Sequence, residues 1–458
     1  MRWFRGSEAR QRHQASLQEA AQRRQAQSAT QNSGRPAASP FTLIFANRNF
    51  ALLWWGGLIS MIGSWALQIG LPVYVYQTTG STLATGLTFM VGTVPRILLG
   101  SVAGIFIDRW NRQRTMVVTN LLLFAGILPL ALVPTTGWLW LVYVVAFVQA
   151  AVSRFFVPAE NAFLPTVVEE KQLASANALN ALNDNLARLI GPALGGVVMG
   201  VVGLQGVVLL DAASFLVAAG CVALVQLNPL PTDEVSPSPE SAVVLGGLNG
   251  VWQEWLAGLR LVQQNRVVKL LFIIIAITSV GEGVMSALFI PFVTDVLQGE
   301  AVTVGWLMSA QAVGGVIGGV LISGLAERFK SYRLLGWGAL GLGIIDLAIF
   351  NYPFFLPGIM LALVLIALAG LPVSALQAGL LTLFQTNVED RYRGRVFGAY
   401  GTTIALLNLV GLTLAAVLGD PLGVVPVINV QGVAYVAAGL IGLVFLRRQI
   451  VLASESFE

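Results

Sequence analysis

Several ionisable residues stand in stretches where water should be absent. Arg96, Arg188, Glu282 and Asp346 each fall near the middle of an apolar run, and Asp184 lies one helical turn from Arg188. A charge at the centre of a bilayer costs at least ~2.5–3.5 kcal/mol on insertion scales. These side chains must therefore face protein or a water-filled cavity, and residues so placed bind protons, ions or charged cargo. Asp184 and Arg188 have the i, i+4 spacing that lets an acid and a base pair on one helix. Such an acid stays ionised while paired and accepts a proton more readily once the cation withdraws, which makes the pair a coupling switch or, alternatively, a permanent structural pair. Glu282 has only Thr278 and Ser286 as polar stripe neighbours, with Gly281 and Gly283 leaving room beside it. Unless Arg96 or Arg188 approaches, it is the stronger candidate for binding a proton.

Other chemistries lack their residues. The one Cys excludes an internal disulfide, and the one His, His13, lies in a polar N-terminal stretch. Thiolate and imidazole metal sites, His-based catalysis and a Walker-type phosphate loop are not expected, so neither a cofactor nor an enzyme activity is. An integral-membrane enzyme would also want paired acids, which the sequence does not display.

The elements that must hold these residues are transmembrane. The 458 residues are 56% apolar and 10% charged, far below the charge content of soluble domains. Twelve apolar runs, each near the ~20 residues a bilayer requires, lie between about residue 50 and about residue 446. Loops after the even-numbered runs hold Arg109, Arg112, Arg114, Lys171, Arg266, Lys330 and Arg393, whereas loops after the odd-numbered runs hold no Lys or Arg. The positive-inside rule then places both termini in the cytoplasm of a cell bounded by this inner (plasma) membrane. The basic charge is thus topological, and no nucleic-acid partner is expected. Residues 1–40 read as a cytoplasmic tail and not as a cleaved signal. Residues 229–265 read as a cytoplasmic linker carrying an amphipathic helix, with Trp252, Trp255, Leu256 and Leu259 on one face. That helix lies on the inner membrane surface or packs on the end of the bundle. Residues 450–458 form a C-terminal tail.

The chain repeats itself at an offset of 219 to 220: Pro72 with Pro291, Gly86 with Gly305, Asp108-Arg109 with Glu327-Arg328, Gly191 with Gly411 and Gly196 with Ala416. Six runs per copy is an even number, so both copies insert in the same orientation. The expected fold is an all-α membrane protein with twelve transmembrane helices in two parallel six-helix repeats, residues 41–228 and 266–449, enclosing a site near the midplane.

The segments PRILLGSVAGIFIDRWNRQR (95–114), FFVPAENAFLP (155–165), RLIGPALGG (188–196) and LLDAASFLVAA (209–219) carry a resemblance to the major facilitator superfamily, in particular its macrolide-efflux and enterobactin-exporter branch. It covers residues 41–449. The resemblance implies a monomeric secondary transporter, a proton-coupled exporter (antiporter) of amphipathic or lipophilic small molecules such as drugs or siderophores, with protons, small-molecule substrate and membrane lipids as its partners. Gly104, Asp108, Arg109 and Arg112 resemble the gating loop after the second helix; Asn111 replaces a usual glycine and is expected to tolerate a left-handed backbone. Gly191, Pro192, Gly195 and Gly196 resemble the fifth-helix hinge of antiporters, although small-residue packing also explains such a pattern, as it does for Gly314-Gly315-x-x-Gly318-Gly319. The substrate and proton pathway falls to Arg96, Asp184, Arg188 and Glu282. First and fourth helices of each half line the cavity in this superfamily, so Asp211 and Asp346, on a sixth and a third helix, are expected to cap or pack. Two further readings stay open: lipid or metabolite translocation or uptake by the same fold, and a non-transporting membrane receptor or scaffold.

Overall fold

In hydrocarbon every backbone polar group must find its partner within the protein, and a helix does so along its own length. The computed structural model describes residues 41–107, 110–132, 138–226, 247–325, 328–356 and 358–449, and these are helical, with no strand. The first half holds α1 (Arg48–Thr79), α2 (Thr82–Ile107), α3 (Arg112–Ile127), α4 (Leu139–Val167), α5 (Leu173–Val202) and α6 (Leu204–Ala223). A surface helix, Gly247–Gln264, follows. The second half holds α7 (Arg266–Pro291), α8 (Ala301–Leu325), α9 (Ser331–Asn351), α10 (Ile359–Asn387), α11 (Asp390–Leu422) and α12 (Val424–Ile441). Among the described residues, eleven helices are long and apolar enough to span a bilayer, and α2 contributes the shorter apolar stretch Thr82–Pro95.

The repeat read from the sequence is also a repeat of neighbours. In the first half α1 packs on α5 and α6, α2 on α4, and α3 on α4 and α6. In the second, α7 packs on α11 and α12, α8 on α10, and α9 on α10 and α12, so each pair has its counterpart six helices on. Local chemistry repeats too. Asn47 and Asn265 cap α1 and α7 by accepting from backbone N–H groups of the first turn. Their amides donate to Val167 O at 2.9 Å and to Asn387 O at 3.0 Å, tying each first helix to the end of its fourth. Gly203 and Gly423, with φ of 80° and 84°, turn α5 into α6 and α11 into α12 in a single residue, a backbone that a side chain would strain.

The halves meet through α5 with α8 and α2 with α11. One apolar core crosses both halves, with Val73 and Val207 from the first and Val284 and Leu412 from the second. It lies toward the end bearing the loops after odd-numbered helices. Toward the opposite end there are two separate cores, one around Phe50, Met116 and Phe163, the other around Leu271, Leu335 and Phe384. The bundle is joined at its odd-loop end and splayed at its even-loop end. At the splayed end the surface helix packs on α11. Trp255 Nε1 donates to Thr403 Oγ1 at 3.0 Å, and Gly258 fits against Ala399 and the Arg395 carbonyl. Trp252 points outward, and this helix belongs to the end of the bundle.

In α8 the doubled glycines divide by face. A Cβ on Gly314 would lie 1.9 Å from the carbonyl oxygen of Ala367 on α10, and one on Gly318 2.6 Å from that of Gly370, whereas Gly315 and Gly319 face open space. Overpacking of this kind costs about 1–3 kcal/mol. Gly314→Val should lower the melting temperature of the purified protein by about 5 °C or more, and Gly319→Val should leave it within about 2 °C. Equal shifts in the two variants would mean that α8 is rotated from this position.

Candidate functional site

The closed end is built from small residues and two carboxylates. A Cβ on Gly196 would lie 2.6 Å from the Ala301 carbonyl, and one on Gly305 2.4 Å from that of Pro192, so α5 and α8 touch backbone to backbone. The repeat counterpart of that contact is Gly86 of α2 against Ala416 of α11. Gly191 and Gly195 pack on Trp65 and Ala66 of α1. The Gly191-Pro192-x-x-Gly195-Gly196 motif therefore sits where α1, α5 and α8 meet. Asp420 of α11 caps the start of α2, accepting from Thr82 N at 3.0 Å and Ser81 Oγ at 3.3 Å. A carboxylate at a helix N-terminus meets unsatisfied N–H groups and the positive end of the dipole. Tyr76, near the end of α1, donates its hydroxyl to Asp295 just beyond α7. These two positions are repeat counterparts, so the bond lies on the local twofold axis relating the halves.

Below this seal α5 and α8 part. Ser309 Oγ still donates to Leu189 O at 2.6 Å, but Arg188 and Asp184, further along the stripe of Gly196 and Pro192, are exposed in the cleft. They form no ion pair with each other. Arg188 instead lies over the Trp65 ring, 5.7 Å from its centroid, an attraction that competes with an exposed carboxylate when water screens the latter. Asp184 has Glu160 of α4 within electrostatic reach, a residue the sequence reading passed over although it stands in the 155–165 segment.

The loop after α2 shows one more difference. Asn111 is extended, with φ −67° and ψ 113°, and caps α3 by accepting from Arg114 N. It occupies no left-handed turn, because Asn is among the best N-caps and the helix start uses it. Arg112 Nη1 donates to the Ala162 carbonyl at 3.0 Å within the same half, stapling α3 to α4. Gly104 lies in α2. Asp108, Arg109 and the side chain of Arg96 lie outside the described residues.

Two adjoining cavities lie between the halves, with Gln68, Phe89 and Ser286 in the lining of both. The larger, of about 770 Å³, lies mainly against the first half and is lined by Thr88, Gln149, Arg154, Asp211, Phe215 and Asn408 among others. The smaller, of about 270 Å³, reaches into the second half. Glu282 opens into it, and the Tyr435 hydroxyl of α12 donates to Glu282 Oε1 at 2.5 Å. Asp346 of α9 and Gln431 of α12 line the same cavity, 5% and 4% exposed. Asp346 Oδ2 and Gln431 Oε1 have no hydrogen-bond partner among the described residues. Asp211 is likewise buried, with Ser214 Oγ donating to its Oδ1 at 3.3 Å and its Oδ2 unpartnered.

Asp346 and Asp211 thus turn inward and line the central cavities, although they stand on third and sixth helices, which are expected to be peripheral. A peripheral helix still has one face on the protein, and an acid takes that face because the other meets lipid. The repeat held a signal for this: Asp211 and Gln431 occupy equivalent positions, so both sixth helices carry a polar residue at the same depth.

Known proteins agree with this architecture. The chain is similar to macrolide efflux protein A of Streptococcus pyogenes, 26% identical over 377 residues, covering 82% of this chain and 90% of that protein. It is 25% identical over 416 residues to the multidrug efflux pump Tap of Mycolicibacterium fortuitum, covering 88% and 97%. Among solved structures, a bacterial homologue of the iron transporter ferroportin in an inward-facing state superposes with a TM-score of 0.68 at 15% identity, over 87% of this chain and 98% of that one. The family model described as transmembrane secretion effector matches residues 38–455, and with it the chain belongs to that family of major facilitator transporters.

Proposed function

We propose that this transporter is a proton-coupled exporter of amphipathic or lipophilic small molecules in the cell membrane, with the even-loop end and both termini in the cytoplasm. The observation that carries the reading is the division of the apolar core: one shared core at the odd-loop end, two separate cores at the other. A cavity sealed on one side and open on the other is one of the two states alternating access requires. The basic loops assign the open side to the cytoplasm, where an exporter loads. The mixture of Phe, Leu and Met with a few polar groups around the cavity suits amphipathic cargo. The names of the similar efflux proteins point the same way.

In this mechanism Glu282 is the proton carrier, open to the cavity and held by Tyr435. Asp184, separated from Arg188 in this state, is the second carboxylate of the cleft, and Arg188 is free to swing from Trp65 as the halves close. The gating loop around Asp108, Arg109 and Arg112 closes the cytoplasmic side in the alternate state, while α5 and α8 separate at Gly196 and Gly305.

Everted vesicles test the coupling. Substrate-dependent proton release should fall at least tenfold in Glu282→Gln and measurably in Asp184→Asn. Unchanged coupling in both variants removes these assignments, and transport indifferent to a protonophore removes antiport. The moving seal has its own test. A Cβ on Gly200 would lie 2.9 Å from Val302 Cγ2, across α5 and α8 and within disulfide reach. In a Cys221→Ser background, Gly200→Cys with Val302→Cys should lose more than 90% of transport on oxidation and regain it with reductant. Full transport by the oxidised protein would show that this contact never opens.

A further inference from the structure

We infer that the even-loop end of α9 and α12 binds the phosphate of an anionic phospholipid, whose acyl chains lie along the outer groove between these two helices. Such a site stands apart from the exporter reading and holds whatever the cargo. In the proposed orientation the lipid belongs to the inner leaflet.

α9 and α12 run antiparallel with their backbones in contact. A Cβ on Gly439 would lie 2.5 Å from Leu340 N, and one on Gly336 2.6 Å from Leu443 Cγ. That register sets Arg333, one turn before Gly336, level with Arg447, one turn after Leu443. Tyr332, Leu335 and Leu446 share one buried core with Val267 and Leu271 of α7, so the start of α7 closes the same corner. Residues 266–272, 330–337 and 440–449 bring Arg266, Lys269, Lys330, Arg333, Arg447 and Arg448 there and no Asp or Glu. All six are exposed, and among the described residues no salt bridge involves any of them. Like charges gathered without a counter-ion repel one another, and an anion that reaches them relieves the repulsion.

The arrangement is particular to the second half. Arg114 is the counterpart of Arg333, but Leu227 and Asn228 stand where Arg447 and Arg448 do. Gln113 of the first half donates to Val222 O at 2.9 Å and to Val225 O at 2.8 Å, closing that corner with bonds inside the protein. Its counterpart Tyr332 is buried and holds an arginine instead. Arg333 Nε donates to the Tyr332 hydroxyl at 3.3 Å, and the guanidinium carbon lies 5.9 Å from the ring centroid. The guanidinium is held at its base, and its fork of terminal N–H groups matches two oxygens of a phosphate. Membrane topology asks for basic loops, which both halves have, and not for two further arginines at the end of the last helix.

The surroundings name the lipid. Trp337, one turn along α9 from Arg333, is exposed, as are Leu440 and Val444 of the α12 side. They give the groove an apolar wall with an aromatic ring close to the headgroup level, where such rings anchor. A zwitterionic headgroup would bring an amine against several cations. A headgroup with a phosphate and no amine, such as phosphatidylglycerol, has the complementary charge.

The full-length protein in nanodiscs tests the inference, with Trp337 as reporter. Its emission is the difference between the unaltered protein and Trp337→Phe. The discs hold phosphatidylcholine and phosphatidylglycerol in equal amounts, with dibrominated chains on one lipid or the other. Bromine on phosphatidylglycerol should quench Trp337 at least twofold more than bromine on phosphatidylcholine. That preference should vanish when Arg333→Gln, Arg447→Gln and Arg448→Gln are combined. It should fall in Arg333→Lys, which keeps the charge but loses the fork, and survive in Arg114→Gln. Equal quenching in the unaltered protein overturns the inference, as does a preference that the triple variant keeps. Loss of the preference in Arg114→Gln also overturns it, because charge anywhere on that end would then suffice. So does its loss in millimolar inorganic phosphate at constant ionic strength, which would make the corner a site for free anions.

Discussion

Two helices can lie with their backbones in contact only where both lack side chains, and this structure meets that condition where its halves join. Gly196 against Gly305, and Gly86 against Ala416, bring α5 to α8 and α2 to α11 at one end. Among the described residues, no salt bridge spans the same contact. The attraction is dispersion over closely fitted surfaces, since lipid tails are as apolar as the helices and give no hydrophobic drive to associate. Such a contact is close and has no long side chains interlocked across it. The directional bonds stand beside it: Tyr76 on Asp295 along the axis, and Asp420 on the first turn of α2. They fix the register of the seal, and each is formed by one residue from each half.

The duplicated plan is kept where it builds the scaffold and abandoned around the central cavities. Helix neighbours, the Asn caps and the turning glycines recur in both halves. The acids do not. Glu282 of α7 corresponds to Gly63 of α1, and beside Gly63 the room is taken by Asp211 and Ser214 of α6. Gln431 of α12 corresponds to Asp211. Each half thus places one carboxylate between its first and sixth helices, supplied from opposite sides. The second half adds Asp346 to its own, whereas the cavity of the first half holds Asp211 and Arg154 along its wall. One scaffold therefore presents an acidic pocket on one side and a mixed one on the other.

Much of this could be read from the order of residues. Runs of apolar residues near twenty long can do little but cross a bilayer, and an offset of 219 to 220 that holds from Pro72 to Gly196 leaves no other arrangement than two parallel halves. The Gly191 to Gly196 motif declared a close approach, and the structure supplies the partners, Trp65, Ala66, Ala301 and Gly305. What resisted reading was rotation. A lone Asp in an apolar helix, such as Asp346 in α9, shows that one face is protein-bound without showing which neighbour that face meets. Tyr435 looked like any aromatic of a membrane span. Its meeting with Glu282, distant in sequence, depends on how α12 is turned against α7. Spacing misled for the converse reason at Asp184 and Arg188. An i, i+4 interval permits a pair but does not require one, and Trp65, from another helix, competes for the guanidinium.

The same reasoning bears on why the acids of the cavity are tolerated at all. Each unpartnered oxygen of Asp346, Gln431 and Asp211 weakens the fold relative to an apolar side chain of equal size. Several scaffold positions avoid that cost: Asn47, Asn265 and Gln113 donate from their side-chain amides to backbone carbonyls, whereas Asn183 donates to the Trp54 carbonyl but leaves its own Oδ1 buried and unpartnered. Among the described residues, the bare oxygens of Asp346, Gln431 and Asp211 belong to residues that line the central cavities, and that of Asn183 lies at the contact of α5 with α1. Most of these unmatched acceptors thus border the central opening, where a guest bearing donors can satisfy them.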